Sequence, residues 1–572
     1  MISISIKMGI PQYVRHIIQK YSDTHFWKPD LEVDHLLIDF NSVIYQVIIL
    51  LNKELGAKLH EISPIVYENK LTEAVIRQLQ HVICEVIRPK ITVYIAVDGP
   101  PPRAKMVQQR ARRYKTLKEQ SFIKDLEKKY HITIPQLQWN KSAISPGTSF
   151  MVKLSKLIIK NMKSFMLHNS NLVIIFSDDS IPGEGEHKLM PSIRRLKNNE
   201  TSVIYSPDAD LIVLSIISGI PNIFILREPK DSDIEVEMYK NHEFMYLSID
   251  ACRKNFSAEF STSNYKEILR DYSFLTFLCG NDFVSAIPFL KIKEGGIQLL
   301  IDAHKEIFVK LGSNQYLINS SGEINTPFLV QLLHELSIIE EERLKKWQRK
   351  RDKVRRREIP ILDSTKEPWE LELTRFNHEE YYSPLHPHFE YFNKVFDKID
   401  YYSPEWISQY NKHFFPNIEI DEVCKEYIKS LHFCVKYYFE QVPSQTWYYR
   451  YRAAPTVKDL YQYLLGRVSS GYEWDTERPY TQFEQLMMIL PRQSFKLLPR
   501  VLNIDADLDE YYPKTFILDL VQGTKFIYSE AILPEIPIEK IRAKIESVKL
   551  QFTDLEKERN TVRSRPYVYK LH

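Results

Sequence analysis

Four short apolar segments that each run into an aspartate constrain the fold of this chain more than any other feature. They lie at residues 35–40, 91–98, 172–179 and 202–210, and helical patterns such as the one at 150–167 separate them. Apolar runs of this length that alternate with helices are typical of a largely parallel, twisted sheet with helices on both faces. The sequence therefore predicts an α/β fold.

The acids that follow these segments predict a shared site. In open parallel sheets, ligands bind at the carboxyl ends of the strands, so side chains that follow different strands lie close together there. The acids placed in this way are Asp39, Asp98, Asp208 and Asp210.

Three further carboxylates come from glycine-containing segments. Glu184 and Glu186 flank a glycine before a predicted helix, and the glycine lets the backbone bring both acids towards one point. Asp282 interrupts the apolar run 274–289, where a carboxylate has to be paired, protonated or bound to a cation. A single acid of this kind is more often a helix cap or a surface group, but that explanation is hard to sustain for seven.

Seven carboxylates in one pocket require counter-ions, and divalent metal is the obvious source. Oxygen ligands suit Mg²⁺ or Mn²⁺, and two such ions about 4 Å apart activate a water and stabilise the departing oxygen of a phosphodiester. No histidine or cysteine set competes for this role, because His187 stands alone at a helix start and is interpreted as structural.

A basic helix follows the predicted strand at 91–97. A glycine and three prolines enforce a non-helical exit from the strand. Lys105, Gln109, Arg112 and Arg113 then fall at i, i+4, i+7 and i+8 on one helical face. Arginine and lysine bind phosphate oxygens well, but a solvated charged helix explains the same residues, so both interpretations stay open on this stretch alone.

Length and composition restrict the class of protein. A chain of 572 residues is too long for one ordinary core. A net charge of +3 supplies no argument for nucleic-acid binding, which has to come from local clusters. Five widely spaced cysteines predict a reducing compartment, and no signal peptide or long apolar run is present. We expect an intracellular protein that does not span a membrane, with the cytoplasm favoured over the nucleus.

The second half has weaker patterns, which support three interpretations. The basic helix at 341–358 is interpreted as solvated, with nucleic-acid contact or a nuclear import signal at 345–357 as alternatives. Aromatic residues interleaved with arginines at 445–455 favour a packed domain junction over a base-stacking platform. The remaining patterns predict a buried helix at 483–491, strands within 511–520 and 525–533, and a charged helix from about 551.

Ten segments of this chain resemble the 5′→3′ exoribonuclease (Xrn) family, a branch of the flap-endonuclease and PIN-like nucleases. They are MGIPQY at Met8, LLIDFNSVIY at Leu36, VDGPPPRAKMVQQRARR at Val97, ISPGTSFM at Ile144, PGEGEHK at Pro182, SPDADLIVLS at Ser206, LCGNDF at Leu278, WYYRYRAAP at Trp447, FEQLMMILP at Phe483 and YYPKTFILD at Tyr511. The resemblance extends from Met8 to about residue 550, with a break near 300–420.

The resemblance implies an architecture in four parts. A PIN/flap-endonuclease-like nuclease core at 1–300 carries a second α+β region at 421–550 packed on it, with a charged linker or insertion at 301–420 and a charged tail at 551–572. The chain resembles a minimal form of the family, as in the nuclear branch and some viral versions.

The resemblance also implies a function. We expect a processive, metal-dependent 5′→3′ exoribonuclease that degrades single-stranded RNA with a 5′-monophosphate to nucleoside 5′-monophosphates. The seven acids would hold two Mg²⁺ or Mn²⁺ ions, and the basic face formed by Lys105, Gln109, Arg112 and Arg113 would bind the 5′-phosphate. A flap-type DNA nuclease and a catalytically silent RNA-binding scaffold are the alternatives; the second shared region counts against the former, and the presence of every acid against the latter.

The two residues expected to stack on the terminal base depart from the family pattern, as do Arg450 and Arg452, which stand where the family more often has proline and histidine. Tyr45 stands where the family usually has a histidine that stacks on the terminal base, and Tyr528 where it usually has the tryptophan on the other side of that base. Since every base has a π face, both tyrosines are expected to stack on it.

Overall fold

The computed structural model describes residues 10, 12–27, 30–229, 242–260, 265–312, 315–356, 365–379, 398–467, 471–519 and 525–571. The strands in these ranges are β1 (His25–Phe26), β2 (His35–Asp39), β3 (Thr92–Ala96), β4 (Val173–Ser177), β5 (Ser202–Tyr205), β6 (Ile223–Arg227), β7 (Met245–Ser248), β8 (Ile517–Asp519), β9 (Glu530–Ile532) and β10 (Tyr567–Tyr569).

Helices connect most of these strands. They are α1 (Tyr13–Lys20), α2 (Phe40–Leu55), α3 (Pro64–His81), α4 (Arg103–Tyr130), α5 (Ser149–Asn161), α6 (Gly185–Ile193), α7 (Asp210–Ser218), α8 (Ile249–Ala258), α9 (Tyr265–Leu278), α10 (Gly296–Leu311), α11 (Thr326–Arg356), α12 (Pro368–His378), α13 (Trp406–Phe414), α14 (Ile420–Phe439), α15 (Val457–Leu464), α16 (Gln482–Ile489), α17 (Ile538–Val548) and α18 (Asp554–Arg559). No helix in the described ranges has the length and hydropathy needed to cross a bilayer.

One mostly parallel sheet organises the fold, as predicted. Its strand order is β1-β7-β6-β5-β2-β3-β4-β10. The five strands from β6 to β4 are mutually parallel, whereas β7, β1 and β10 pair antiparallel with their neighbours. The chain adds β3 and β4 on one side of β2 and then β5 and β6 on the other. The order therefore reverses at β2, and such a switch point opens a crevice at the carboxyl ends of the strands.

Both faces of the sheet are covered by helices, which confirms the predicted layering. Alternate side chains of a strand point to opposite faces. In β2, Leu36 and Ile38 pack with α2, α3 and α5 in one apolar cluster, whereas Leu37 packs in another with α7 to α11 and α14. Each strand of the central sheet is thus held between two cores.

The interval 301–420 is more ordered than the predicted linker. Helix α11 runs through it and packs against α10 and α15. Its first turns bury Phe328, Leu329, Leu332, Leu333 and Leu336. The last turns of α11 correspond to the charged helix predicted at 341–358, whereas the apolar i, i+3, i+4 pattern of the turns before them was not recognised as helix. Residues 357–364 and 380–397 of the interval lie outside the described residues.

The predicted helical tail is a short helix followed by a strand. After α18, β10 joins the edge of the main sheet, with Val568 opposite Ile175. The helix prediction is wrong for 567–569, because Tyr567 and Tyr569 alternate with the exposed Val568 and pack onto the core from one face of the strand.

Other predictions for the second half are confirmed. Trp447 packs on Phe433 with a ring-centroid distance of 4.8 Å, and Tyr449 is buried, so 445–455 forms a packed junction. Helix α16 is buried along its whole length. Strands β8 and β9 pair as a separate two-stranded sheet.

Candidate active site

Acids from three parallel strands meet at the switch point of the sheet. Asp39 ends β2, Asp98 follows β3 by two residues, and Asp208 follows β5 by three. The Ser206 hydroxyl donates to Asp39 Oδ2 at 2.8 Å and accepts from the backbone N–H of Asp208 at 3.0 Å. This serine links the ends of β2 and β5, so the first acids of the cluster have fixed relative positions.

A close approach of the α6 N-terminus brings the glutamates to the same point. A Cβ at Gly185 would lie 2.5 Å from Asp39 Oδ1 and 3.1 Å from the Ala96 carbonyl oxygen, so a side chain here would displace Asp39. The Gly185 N–H donates to Asp98 Oδ1 at 2.8 Å. The residues on either side, Glu184 and Glu186, are buried as a result. Gly185 therefore does what the sequence predicted: its lack of a side chain lets the backbone bring Glu184 and Glu186 to the cluster.

Three carboxylates have the spacing of a metal site. Glu186, Asp208 and Asp210 each offer an oxygen, and these oxygens all lie within 4.8 Å of one another. Asp210 Oδ1 is buried with no hydrogen-bond donor within the described part of the chain. Hard carboxylate oxygens in this arrangement suit Mg²⁺ or Mn²⁺, so the residues fit the predicted ion.

The ionised forms of the clustered carboxylates are destabilised by their surroundings. Burial, followed by the charges of neighbouring carboxylates, raises the pKa of Asp39, Glu186 and Asp210 well above the usual range. A bound cation would oppose both effects by stabilising the ionised forms.

Lys105 supplies a cation from the protein itself. Its Nζ lies 2.5 Å from Glu184 Oε1 and 2.8 Å from Asp282 Oδ2, and all three side chains are buried. Burial lowers the pKa of Lys105, but the charges of Asp282 and Glu184 outweigh it and raise that pKa above the usual range. Of the options open to a buried carboxylate, Asp282 is paired in the structure, and Lys105 lies inside the acidic cluster.

The helix face that begins at Lys105 continues along the edge of the cluster. Arg112 approaches Asp282 at 3.5 Å and is partly exposed, and Gln108 also donates to Asp282. Arg113 donates to Ser145 Oγ at 2.7 Å. These side chains show that the helix borders the acids closely enough to contact a group bound there.

Two other residues predicted on this edge have different surroundings. Gln109 accepts from Gln485 of α16 at 3.2 Å, and Tyr45 is half-buried with Arg113 and Arg112 as electrostatic neighbours. The side chain of Tyr528 lies outside the described part of the structure. Whether the two tyrosines flank one base therefore stays a prediction.

Tyr437 contributes to the cluster from a position far along the sequence. This buried residue of α14 donates a hydrogen bond from its hydroxyl to Glu184. Its ring lies 3.9 Å from the His187 ring and 4.3 Å from the Phe283 ring, measured between centroids. His187 is thus packed beside the site, consistent with its structural interpretation, whereas Tyr437 had no signal in the sequence to mark it.

Two further residues that the sequence analysis missed hold Asp98 in place. The Asn41 amide donates to Asp98 Oδ2 at 2.7 Å and accepts from the Asp98 N–H at 3.3 Å. Lys188 donates to the carbonyls of Val97 and Asp178 at 2.6 and 2.9 Å, which joins the ends of β3 and β4. Asn41 lies two residues after Asp39 and Lys188 two residues after Glu186, so proximity to a predicted metal ligand was the available signal for both.

Comparison with known families gives matches along most of the chain. The profile described as the XRN 5'-3' exonuclease N-terminus matches residues 8–229. The profile described as the Xrn1 helical domain matches residues 262–383 and 393–570.

Individual proteins are similar over almost the whole chain. The chain is 25% identical to the 5'-3' exoribonuclease 1 of Schizosaccharomyces pombe, over 99% of this chain and 50% of that protein. It is 26% identical to the human 5'-3' exoribonuclease 1, over 97% of this chain and 35% of that protein. It is 24% identical to the chicken 5'-3' exoribonuclease 2, over 97% of this chain and 71% of that protein. The chain thus spans half or less of the length of the first two relatives.

Proposed function

The chain belongs to the XRN family of 5'-3' exonucleases, and on that premise we propose that it hydrolyses RNA one nucleotide at a time from the 5′ end. The observation that carries this proposal is a cluster of seven carboxylates, six of them buried and Asp98 half-buried, gathered around the carboxyl ends of parallel strands and beside a helix that presents arginines to the same edge. We further infer that the sheet is of the PIN/flap-endonuclease type, because the acids gather at its switch point.

We propose that Glu186, Asp208 and Asp210 hold one divalent ion, with Asp39, Asp98, Glu184 and Asp282 completing the site for a second. When bound, Mg²⁺ or Mn²⁺ supplies an activated water and charge stabilisation at a phosphodiester. The chain's own residues provide the rest: Ser206, Asn41 and Gly185 hold the carboxylates in position, and the buried setting excludes bulk water from them.

The 5′-phosphate is proposed to bind against Arg112 and Arg113, with Gln109 as a neutral donor and Tyr45 beside the terminal base. Arginine forks match phosphate oxygens, and this edge lies next to Asp282. For Lys105 to contact this phosphate, its ammonium group has to leave Glu184 or Asp282. Cations held by these two acids would compete with the ammonium group and so favour its departure. Cleavage one nucleotide from this pocket exposes a new 5′-phosphate, which supports processive action.

The test uses the full chain and matched single-stranded substrates. We expect RNA with a 5′-monophosphate to decay to nucleoside 5′-monophosphates in Mg²⁺, with slower decay of 5′-hydroxyl and 5′-triphosphate RNA and of matched DNA. A chelator should stop the reaction. Release of internal fragments, or equal decay of all ends, would contradict the proposal.

A pair of variants separates catalysis from binding. Asp208→Asn should abolish decay while RNA binding persists, because the change removes a metal ligand and keeps the side-chain shape. Asp302→Asn, an exposed acid on α10, is the matched control and should keep full activity. Full activity of Asp208→Asn would refute the proposed site.

A further inference from the structure

Helix α11 carries exposed cations that the proposed active site does not use. Lys346, Arg349, Lys353 and Arg356 are exposed along its last turns. At about 100° per residue they fall within an arc of about 80°, and they span about 15 Å along the helix axis. These four residues, called the α11 stripe here, form one line on one face of the helix.

The charges of the α11 stripe have no neutralising partner in the part of the chain that the structure describes. None of its four members has an ion pair or hydrogen-bond partner for its side chain in the described ranges. Neighbouring cations of the same helix differ, since Lys345 pairs with Glu341 at 2.5 Å and Lys350 with Glu294 at 3.0 Å. The chain therefore concentrates free positive charge here, although its net charge is only +3.

The opposite face of the helix is fixed to the body of the protein. Leu344 is buried, and Arg351 is only 4% exposed. The Gln348 amide donates to Asp400 Oδ1 at 2.8 Å and accepts from the Tyr401 N–H at 2.7 Å. The α11 stripe is therefore presented by an anchored helix, so binding a partner requires no ordering of the backbone.

The helix borders the segment that follows Asp282. Lys291 lies over the Trp347 ring, with its Nζ 4.8 Å from the ring centroid, and Glu294 pairs with Lys350. The nine residues from Asp282 to Lys291 reach at most about 30 Å, so the turn of α11 that carries Trp347 lies within about that distance of Asp282. A short length of single-stranded nucleic acid can span such a distance. Leu344 shares one apolar cluster with Phe283, next to Asp282.

We propose that the α11 stripe binds backbone phosphates of the single-stranded RNA substrate on the 3′ side of the nucleotide being removed. This inference rests on the proposed function, since it takes the RNA to be held by its 5′ end at the acids. Lysine and arginine contacts to phosphates carry no sequence information and are strongly salt-dependent. The contact would therefore favour long substrates of any sequence.

The experiment measures RNA affinity in the Asp208→Asn background, where the RNA is not consumed. The variant Lys346→Gln, Arg349→Gln, Lys353→Gln, Arg356→Gln removes the charges and keeps helix-forming residues. Fluorescence anisotropy with 5′-phosphorylated oligouridine of about 30 nucleotides should show binding weakened on the order of tenfold, and the slope of log affinity against log salt reduced by about 0.7 per lost contact. Affinity for an oligouridine of about 5 nucleotides should not change.

Two matched variants test whether charge at this place is the cause. Lys53→Gln, Lys58→Gln, Lys70→Gln, Arg77→Gln removes the same charge from exposed positions on the opposite face of the sheet and should leave the affinity unchanged. Arg349→Lys with Arg356→Lys keeps the charge and should keep both affinity and slope.

Each outcome bears on one proposal. Unchanged affinity for long RNA in the Gln variant, or equal loss in the opposite-face variant, would overturn the α11 stripe as an RNA site and favour an acidic protein as its partner. Failure of the proposed function would be seen separately, as no metal-dependent decay of RNA by the protein with Asp208 intact.

Discussion

Tyr437 donates a hydrogen bond to Glu184 across 253 positions of the sequence. The phenol is buried, and its ring fills the space between His187 and Phe283. The acidic cluster therefore has a wall that belongs to α14. The strands that carry the acids do not complete their own site, which gives the second matched region a direct part in it.

The first prediction concerns this hydroxyl. Tyr437→Phe keeps the ring packing but removes a donor to a buried carboxylate, a bond worth about 1.5–3 kcal/mol. We expect RNA decay to slow by about tenfold, as the lower part of that range converts at 1.4 kcal/mol per tenfold, and the Mg²⁺ concentration for half-maximal rate to rise. Tyr438→Phe is the control, because the buried Tyr438 hydroxyl has no hydrogen-bond partner in the described ranges. Equal effects of the two variants would show that the hydrogen bond from Tyr437 to Glu184 makes no specific contribution to activity.

The second prediction concerns Lys105 as an internal counter-ion. Lys105→Met removes the ammonium that pairs with both Glu184 and Asp282 and leaves Arg112 as the remaining cation near Asp282; removal of one partner of a buried ion pair costs about 3–5 kcal/mol. We expect a lower melting temperature in chelator at neutral pH. Mg²⁺ should restore part of the loss, as should acidification, since both reduce the uncompensated charge.

Lys124→Met is the matched control for this variant, because Lys124 is exposed on the same helix and should not alter melting. The interpretation fails if Lys105→Met loses the same stability with Mg²⁺ as with chelator.

The third prediction separates the phosphate pocket from the metal site. Arg112→Ala with Arg113→Ala removes two guanidinium groups at the edge of the cluster. We expect the preference for 5′-monophosphate over 5′-hydroxyl RNA to fall by at least about tenfold, as the loss of charge-assisted hydrogen bonds worth about 1.5–3 kcal/mol predicts. Melting with and without Mg²⁺ should show that the metal still stabilises this variant.

Lys124→Ala with Lys128→Ala removes the same charge from exposed positions farther along α4 and should keep the end preference. A preference that survives the arginine changes would place the phosphate elsewhere.

The fourth prediction follows from Glu340, which joins two helices inside the core. This buried residue of α11 accepts from the Val457 and Lys458 N–H groups at 2.8 and 3.1 Å, at the start of α15. Burial raises the pKa of Glu340 to about 8, and the two backbone bonds only partly oppose this.

The sign of the pH effect follows from linkage. Because the pKa of Glu340 is higher in the folded state, its contribution to stability is fully present below its unfolded value of about 4.3 and is lost as pH rises through about 8. The free energy of unfolding should therefore fall between these limits by up to about 1.4 kcal/mol per pH unit. Chemical unfolding of Glu340→Gln should show a shallower pH dependence than the unchanged protein. Parallel curves would contradict the assignment.

Much of the fold was predictable because its signals are local. Apolar runs that end in acids mark β2, β3 and β5, and the rule that parallel strands present their carboxyl ends together brings Asp39, Asp98 and Asp208 to one point. The helix face from Lys105 was also visible, since its period is intrinsic to the helix. The sequence analysis missed the buried apolar turns that open α11 before residue 341, and it predicted helix instead of strand at 567–569, where the strand exists only through pairing with β4.

By itself, the sequence determined which groups are available: seven carboxylates at strand ends and turns, a basic helix near them, and a basic run far along the chain. Only the tertiary structure decided which groups meet. It placed the Lys105 ammonium between Glu184 and Asp282 and brought Tyr437 from α14 to Glu184. The physical reason is that periodicity specifies the direction of a side chain along its own element, whereas a contact between distant elements depends on the packing of the whole core.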